Sequence, residues 1–260
     1  MKRKASFALI LAMLVLILPG CQNKPPAQTE PDTDAPAQTE QAFEPSLQFI
    51  APKDALADMK STPVGTDAWQ ICYAGPSFVY LTYNFGTSYI FRYSAGRNRI
   101  DMALDTRGLF PAETSGPRSA NCAFSDDGRY AVLIPGFAPE DRPPQNPVFK
   151  IDFIADEITV LADDSRDFAM PPDFSYYDYE KTFADQREYL EMMGVSPELP
   201  ELYGAGWCVV AKLNEELYFL IRPNDPEDAS PGPGYYYYKI DVVNMTRGVS
   251  VQEFRLDSVK

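Results

Sequence analysis

At 260 residues, with 45% hydrophobic and 13% aromatic residues, the chain is long enough to bury a globular core. Its formal net charge of -14 argues against a nucleic-acid partner, because phosphate binding needs a basic surface. The sequence contains no histidine, which excludes the common histidine-containing zinc sites and the Ser-His-Asp and Cys-His catalytic systems.

Residues 1–20 have the pattern of a signal peptide. Three basic residues, Lys2 to Lys4, precede an apolar run from Phe7 to Leu18. That run is too short for a transmembrane helix, which needs about 20 apolar residues.

The end of this segment resembles the lipobox of bacterial lipoprotein signal peptides. Leu18, Gly20 and Cys21 carry the resemblance, while Pro19 departs from the usual small or hydroxyl residue. The resemblance implies cleavage before Cys21 and a diacylglyceryl group on its sulfur, whose two acyl chains suffice to anchor a protein stably. It also implies a location on the bacterial cell membrane, with the folded domain outside the cytoplasm. The alternative is an ordinary secretory signal in which Cys21 is incidental.

Residues 21–46 are predicted to be a disordered tether. They contain two similar Pro, Ala, Gln, Thr and Glu segments, at 25–30 and 35–40, and too few apolar residues to bury a core. Fully extended, such a segment reaches roughly 75 Å. We expect no metal or other cofactor beyond the lipid.

Residues 47–260 are predicted to form an all-β domain of four-stranded antiparallel units. A short strand and one or two helical turns precede three units, at about 69–105, 118–163 and 206–257. The first strand of each unit contains a cysteine, and the third contains a basic residue between an aromatic and an apolar one. These residues are Cys72, Cys122 and Cys208, and Arg92, Lys150 and Lys239.

One hairpin in the second unit resembles a known family. Residues 124–130 read FSDDGRY, with Asp126 to Gly128 as a tight turn. The segment is similar to the Phe-Ser-x-Asp-Gly-Arg/Lys-Tyr hairpin of β-propeller blades of the TolB and dipeptidyl-peptidase type, and so implies a propeller-like fold. Because propellers close with about four to eight blades and three units are recognisable, a small propeller, an incomplete one and another antiparallel meander remain alternatives.

The largest insertion, residues 164–205, is predicted to contain a helix at 182–193, ended by Gly194 and Pro197. We expect it to dock on the edge or end of a sheet.

The long loops of an up-and-down meander emerge at one end, after the second and fourth strands of each unit, and the short hairpins at the other. We therefore predict a ligand or partner site on the long-loop face. Aromatic and charged residues in these loops are the candidates, although the aromatics are equally suited to packing the insertion onto the sheet. The candidates are Phe137, Arg142, Phe174, Tyr176, Tyr177, Tyr179, Tyr203, Arg222 and Asp225.

Together these features predict a membrane-anchored, extracytoplasmic and non-catalytic binding module for a protein or glycan partner. The alternative is a histidine-free carbohydrate-active enzyme that uses an Asp or Glu pair. A solute-binding lipoprotein fits less well, because it needs alternating helices and strands. The three cysteines of the units are interpreted as small buried apolar residues.

Overall fold

A computed structural model of the chain describes residues 43–59, 69–84, 86–112, 118–143, 145–194, 209–223, 238–256 and 259. The predicted signal peptide, Cys21 and most of the predicted tether lie outside the described residues. The described chain is mostly β, with three antiparallel sheets and two α-helices. This confirms the predicted all-β, antiparallel class with a helical insertion.

Sheet 1 contains the first predicted unit together with a strand from the preceding segment. Its strands follow the order β1-β5-β4-β3-β2, and helix α1 joins β1 to the segment before β2. The elements are β1 (Gln48–Ile50), α1 (Pro52–Met59), β2 (Trp69–Ala74), β3 (Phe78–Tyr83), β4 (Tyr89–Ser94) and β5 (Arg99–Asp105).

Sheet 2 contains the second unit and sheet 3 the third, in the orders β10-β6-β7-β8-β9 and β11-β12-β13-β14. Sheet 2 consists of β6 (Arg118–Ser125), β7 (Tyr130–Phe137), β8 (Val148–Asp152), β9 (Glu157–Ala162) and β10 (Phe174–Tyr176). Sheet 3 consists of β11 (Val209–Lys212), β12 (Leu217–Pro223), β13 (Tyr238–Asn244) and β14 (Val249–Arg255).

The insertion contributes both β10 and helix α2 (Tyr179–Met192). The helix begins three residues before the predicted start, because the Asp178 side chain accepts a hydrogen bond from the Glu180 backbone N–H and caps it. It ends before Gly194, which has a positive φ of 71°. Strand β10 was not predicted.

Sheet 1 lies between the other two sheets and packs against both. On one face Leu81 joins Phe219 of sheet 3 in a buried cluster. On the other face the ring of Tyr80 lies 4.7 Å from that of Phe124 in sheet 2. Because successive residues of a strand point to opposite faces, a strand covered on both sides is largely apolar, as β3 is apart from Thr82.

The predicted acidic hairpin connects β6 to β7 and is closed by its own side chains. The Asp127 carboxylate accepts hydrogen bonds from the Ser125 hydroxyl at 2.8 Å and from the Arg129 backbone N–H at 3.0 Å. The Arg129 guanidinium bonds the Asp152 carboxylate at 2.8 Å, and this hydrogen bond lowers the pKa of Asp152 to about 2. The turn chemistry of this segment is therefore structural.

Strand β2, the first strand of its unit, lies beside the first strands of the other two units, β6 and β11. The Tyr73 hydroxyl donates to the Asp126 carbonyl at 2.9 Å, and the Tyr73 ring lies 5.3 Å from that of Phe124. Gly128 has a φ of 69°, and a Cβ there would lie 2.5 Å from the Tyr73 ring. We call this set of contacts the β2–β6 junction.

We expect Gly128→Ala to lower the free energy of unfolding by about 2 to 3 kcal/mol, because the new methyl group meets the Tyr73 ring at a positive φ. Gly248→Ala has a similar φ of 64° but open space around the new Cβ, so it should cost only about 1 kcal/mol. Gly96→Ala, with open space and no positive φ, should be nearly neutral. Urea unfolding followed by circular dichroism measures all three. Equal costs for the first two variants would contradict a stabilising role for the junction.

Candidate binding groove between sheets 1 and 2

A pocket of about 470 Å³ opens where β2 approaches β6. One wall carries neutral polar side chains from the two strands and from β3, and the other carries three tyrosines from the insertion. We call it the tyrosine pocket. None of the described residues that line it is charged. The polar residues are Gln70, Thr82, Ser119 and Asn121, and the tyrosines are Tyr176, Tyr177 and Tyr179.

The three tyrosines are held in place by a short connection between β10 and α2 and by a hydrogen bond to β2. Tyr176 ends β10 and Tyr179 begins α2, so only two residues separate the strand from the helix. The Tyr179 hydroxyl donates to the side-chain carbonyl of Gln70 at 3.2 Å across the pocket. Burial raises the pKa of Tyr176, Tyr177 and Tyr179, so that these phenols are neutral hydrogen-bond donors at physiological pH.

A β-bulge in β2 turns Cys72 toward this pocket. The register between β2 and β3 shifts between Ile71 and Tyr73, which leaves Cys72 without an opposite residue. Ile71 belongs to the cluster against sheet 3, whereas both Cys72 and Tyr73 pack against the cluster with sheet 2. The bulge therefore places two consecutive side chains on the same face, which a regular strand does not.

A second pocket, of about 430 Å³, continues from the first. The two share Cys72, Tyr176 and Tyr177. The second pocket extends past the acidic hairpin to charged residues of α2 and β11, including Lys181 and Lys212. We call the two pockets together the central groove; it is neutral at one end and charged at the other.

Helix α2 is fixed to β11 and so closes one side of the groove. The Asp185 carboxylate, which is buried, accepts the backbone N–H of Lys212 at 3.0 Å. The Lys212 ammonium lies 3.1 Å from the Glu188 carboxylate, and the Tyr189 ring lies 6.2 Å from that of Tyr218. These contacts connect the insertion to sheet 3.

The structure does not bring all the predicted site residues together. Tyr176, Tyr177 and Tyr179 come together at the central groove. Phe174 pairs with Ser125 at the hairpin end of β6. The expectation that the insertion stays on the long-loop face therefore differs from what is observed, because β10 runs back along the free edge of β6.

The other candidates lie away from the groove. Phe137 packs on Phe110, with ring centroids 5.2 Å apart, and Arg142 donates to the Ser165 hydroxyl at 2.6 Å. Arg222 bonds the buried Asp241 carboxylate at 2.7 Å within sheet 3. Two further candidates, Tyr203 and Asp225, lie outside the described residues.

Sequence reasoning missed the polar wall of the pocket. Gln70, Ser119 and Asn121 are ordinary polar residues of β2 and β6, and no motif marks them. The cysteine repeated in the first strand of each unit is the one sequence feature that marks these strands. Its residue type, however, indicates a small buried side chain and not a binding site.

No protein-family model matches this chain, and no curated protein matches it. Within the part of the chain that the structure describes, no three Cys, Asp or Glu side chains are grouped so that they could hold a metal ion. In the same residues, no helix combines the length and the apolar character needed to cross a membrane. Function has to be inferred from the residues of the groove themselves.

We expect Asp185→Ala to lower the free energy of unfolding by about 1 to 3 kcal/mol, because it leaves the Lys212 amide without its acceptor beneath α2. Glu188→Ala removes an ion pair whose carboxylate side chain is 45% exposed and should cost less than about 1 kcal/mol. Urea unfolding gives both costs. Hydrogen exchange across residues 179–192 should be faster in the first variant only; equal exchange in both would contradict the role of Asp185 in holding α2.

Proposed function

We propose that the chain is a lipid-anchored, extracytoplasmic binding protein of a bacterium, and that its ligand binds in the central groove. The lipobox and the tether-like segment support the anchored location. The observation that supports the groove is the juxtaposition of three tyrosines with a wall of neutral amide and hydroxyl side chains.

We infer that the domain is a propeller-like ring of three blades closed by the insertion. Strands β2, β6 and β11 occupy the inner position of their units, and β2 lies beside the other two. Strand β10 pairs with β6 of sheet 2, and α2 packs on β11 of sheet 3. The insertion thus bridges the two outer sheets where a further blade would otherwise stand, which supports a ring around the groove.

The lining of the tyrosine pocket favours a neutral glycan over a charged ligand or a protein partner. Tyr176 and Tyr179 are 52% and 60% exposed and offer apolar ring faces on which a sugar stacks. Gln70 and Asn121 supply amide groups that donate and accept hydrogen bonds from hydroxyls. A concave site with aromatic walls and a few fixed polar groups is typical of small-molecule recognition.

The lining of the tyrosine pocket supports binding over glycoside hydrolysis, because none of the described residues that line it carries a carboxyl group. A glycosidase needs one carboxylic acid whose pKa is raised, so that it can donate a proton. Hydrogen bonds to the carboxylate lower the pKa of every described carboxyl that shows a shift, against the opposing effect of burial. These are Asp105, Asp127, Asp152, Asp164, Glu188 and Glu253.

We expect the protein to bind immobilised neutral oligosaccharides, and Tyr179→Ala to weaken that binding by about tenfold or more, since the stacking face is lost. Phe183→Ala is the matched control: Phe183 lies on the same helix, is 64% exposed and does not line either pocket. Calorimetric titration with the oligosaccharides that bind measures both. An equal loss in the two variants, or no binding across the whole panel, would refute the glycan site.

For the anchor, we expect Cys21→Ser to abolish incorporation of labelled palmitate and to release the protein from the membrane fraction, because the thioether-linked lipid cannot form. Cys122→Ser keeps Cys21 and should remain labelled. Labelling in cells followed by fractionation tests this. Retention of both label and membrane association by Cys21→Ser would show that Cys21 is not the lipidated residue.

A further inference from the structure

Two thiols lie together on the floor of the tyrosine pocket. Cys72 is the bulged residue of β2, and Cys122 is at the equivalent position of β6, the neighbouring first strand. Both line the same pocket, and both pack in the same buried cluster between sheets 1 and 2. Cys122 is 6% exposed, whereas Cys72 is partly exposed.

We propose that Cys72 and Cys122 are a redox site that forms a reversible disulfide by exchange with a disulfide-bearing oxidant. The site adds a covalent connection between sheets 1 and 2 to the non-covalent β2–β6 junction. It is independent of which ligand occupies the groove.

The geometry of β2 provides the reason that these two thiols meet. In a regular strand Cys72 would face opposite to Tyr73, which packs on Phe124 of sheet 2. The bulge between Ile71 and Tyr73 places both side chains on the sheet 2 face. A disulfide requires the two Cβ atoms to approach within about 4.5 Å, so the bond can form only if the neighbouring strands β2 and β6 bring residues 72 and 122 to that separation.

The exchange proceeds in two balanced steps. Cys72, the more accessible thiol, loses its proton, attacks one sulfur of the oxidant and releases one thiolate, which leaves a mixed disulfide. Cys122 then loses its proton and attacks the Cys72 sulfur, which releases the second thiolate. The two cysteines lose two protons and two electrons, and the oxidant is reduced to two thiols.

The environment of Cys72 makes this reaction slow near neutral pH. Burial, and after it the electrostatic influence of Cys122, raises the pKa of the Cys72 thiol well above its usual range. Because the thiolate is the attacking species, the rate should increase about tenfold per pH unit below that pKa. An extracytoplasmic compartment supplies oxidising conditions in which such a bond persists.

The test uses the full chain carrying Cys21→Ser and Cys208→Ser, which keeps two of its four cysteines. After incubation with oxidised glutathione, peptide mapping should find Cys72 joined to Cys122, with both thiols unreactive to maleimide and both restored by dithiothreitol. The rate should rise with pH as described. Adding Cys122→Ser should instead trap one glutathionyl group on Cys72.

Three results would overturn the proposal. In the first, both thiols stay free after prolonged incubation at about pH 9. In the second, the two-cysteine protein accumulates a glutathione adduct on Cys72 as the final product, as the Cys122→Ser variant does. In the third, wild-type protein links one of these cysteines to Cys208 instead. Because no glycan is needed in this experiment, its outcome is separate from that of the binding test.

Discussion

The contact between the Tyr73 side chain and the β6–β7 hairpin is the constraint on which the arrangement of the sheets depends. Its hydroxyl reaches the Asp126 carbonyl, its ring packs on Phe124, and Gly128 leaves the space that the ring occupies. This side chain therefore holds β2 against sheet 2, while β2 also lies beside β11 of sheet 3. The bulge that orients Tyr73 also turns Cys72 into the tyrosine pocket. The β2–β6 junction and the tyrosine pocket therefore both depend on the β-bulge in β2.

Most of the strands could be predicted, because alternation and turn chemistry are local properties of a sequence. The acidic hairpin is the clearest case, since Asp127 and Gly128 close the turn with their own backbone and side-chain preferences. The bulge at Cys72 could not be predicted in the same way. It results from packing between sheets, and neither cysteine nor tyrosine signals it in the sequence. Strand β10 was missed for a similar reason: three residues pair with the free edge of β6, and only the tertiary structure reveals that edge.

The basic residue of the third strand illustrates how a repeated pattern acquires different roles. Arg92 bonds Asp101 within sheet 1 at 2.7 Å and also donates to the Phe153 carbonyl of sheet 2 at 2.6 Å. Lys150 instead lies over the ring of Tyr130, 4.3 Å from its centroid, and Lys239 pairs with Glu253. The shared strand position of these three basic residues is consistent with repeated units. The residues that each of them contacts differ, because the surroundings of the three sheets differ. The candidate tyrosines show the same limit of sequence reasoning. The sequence predicts an aromatic-rich insertion, but it does not predict that the insertion pairs with β6.

Strand β1 would have a mechanical consequence in the N-terminally anchored protein that we propose. The Ser46 N–H bonds the Gly108 carbonyl at 2.8 Å, and three residue pairs join β1 to β5. Helix α1 adds a further connection, where Asp58 meets Arg107 at 2.9 Å. With the anchor and the groove that we propose, a pull on a bound ligand would pass through these contacts. Tension along the β1 axis stresses the three pairs together in shear, whereas tension across it peels them apart one by one, so the direction of pulling sets the force at which the domain begins to open.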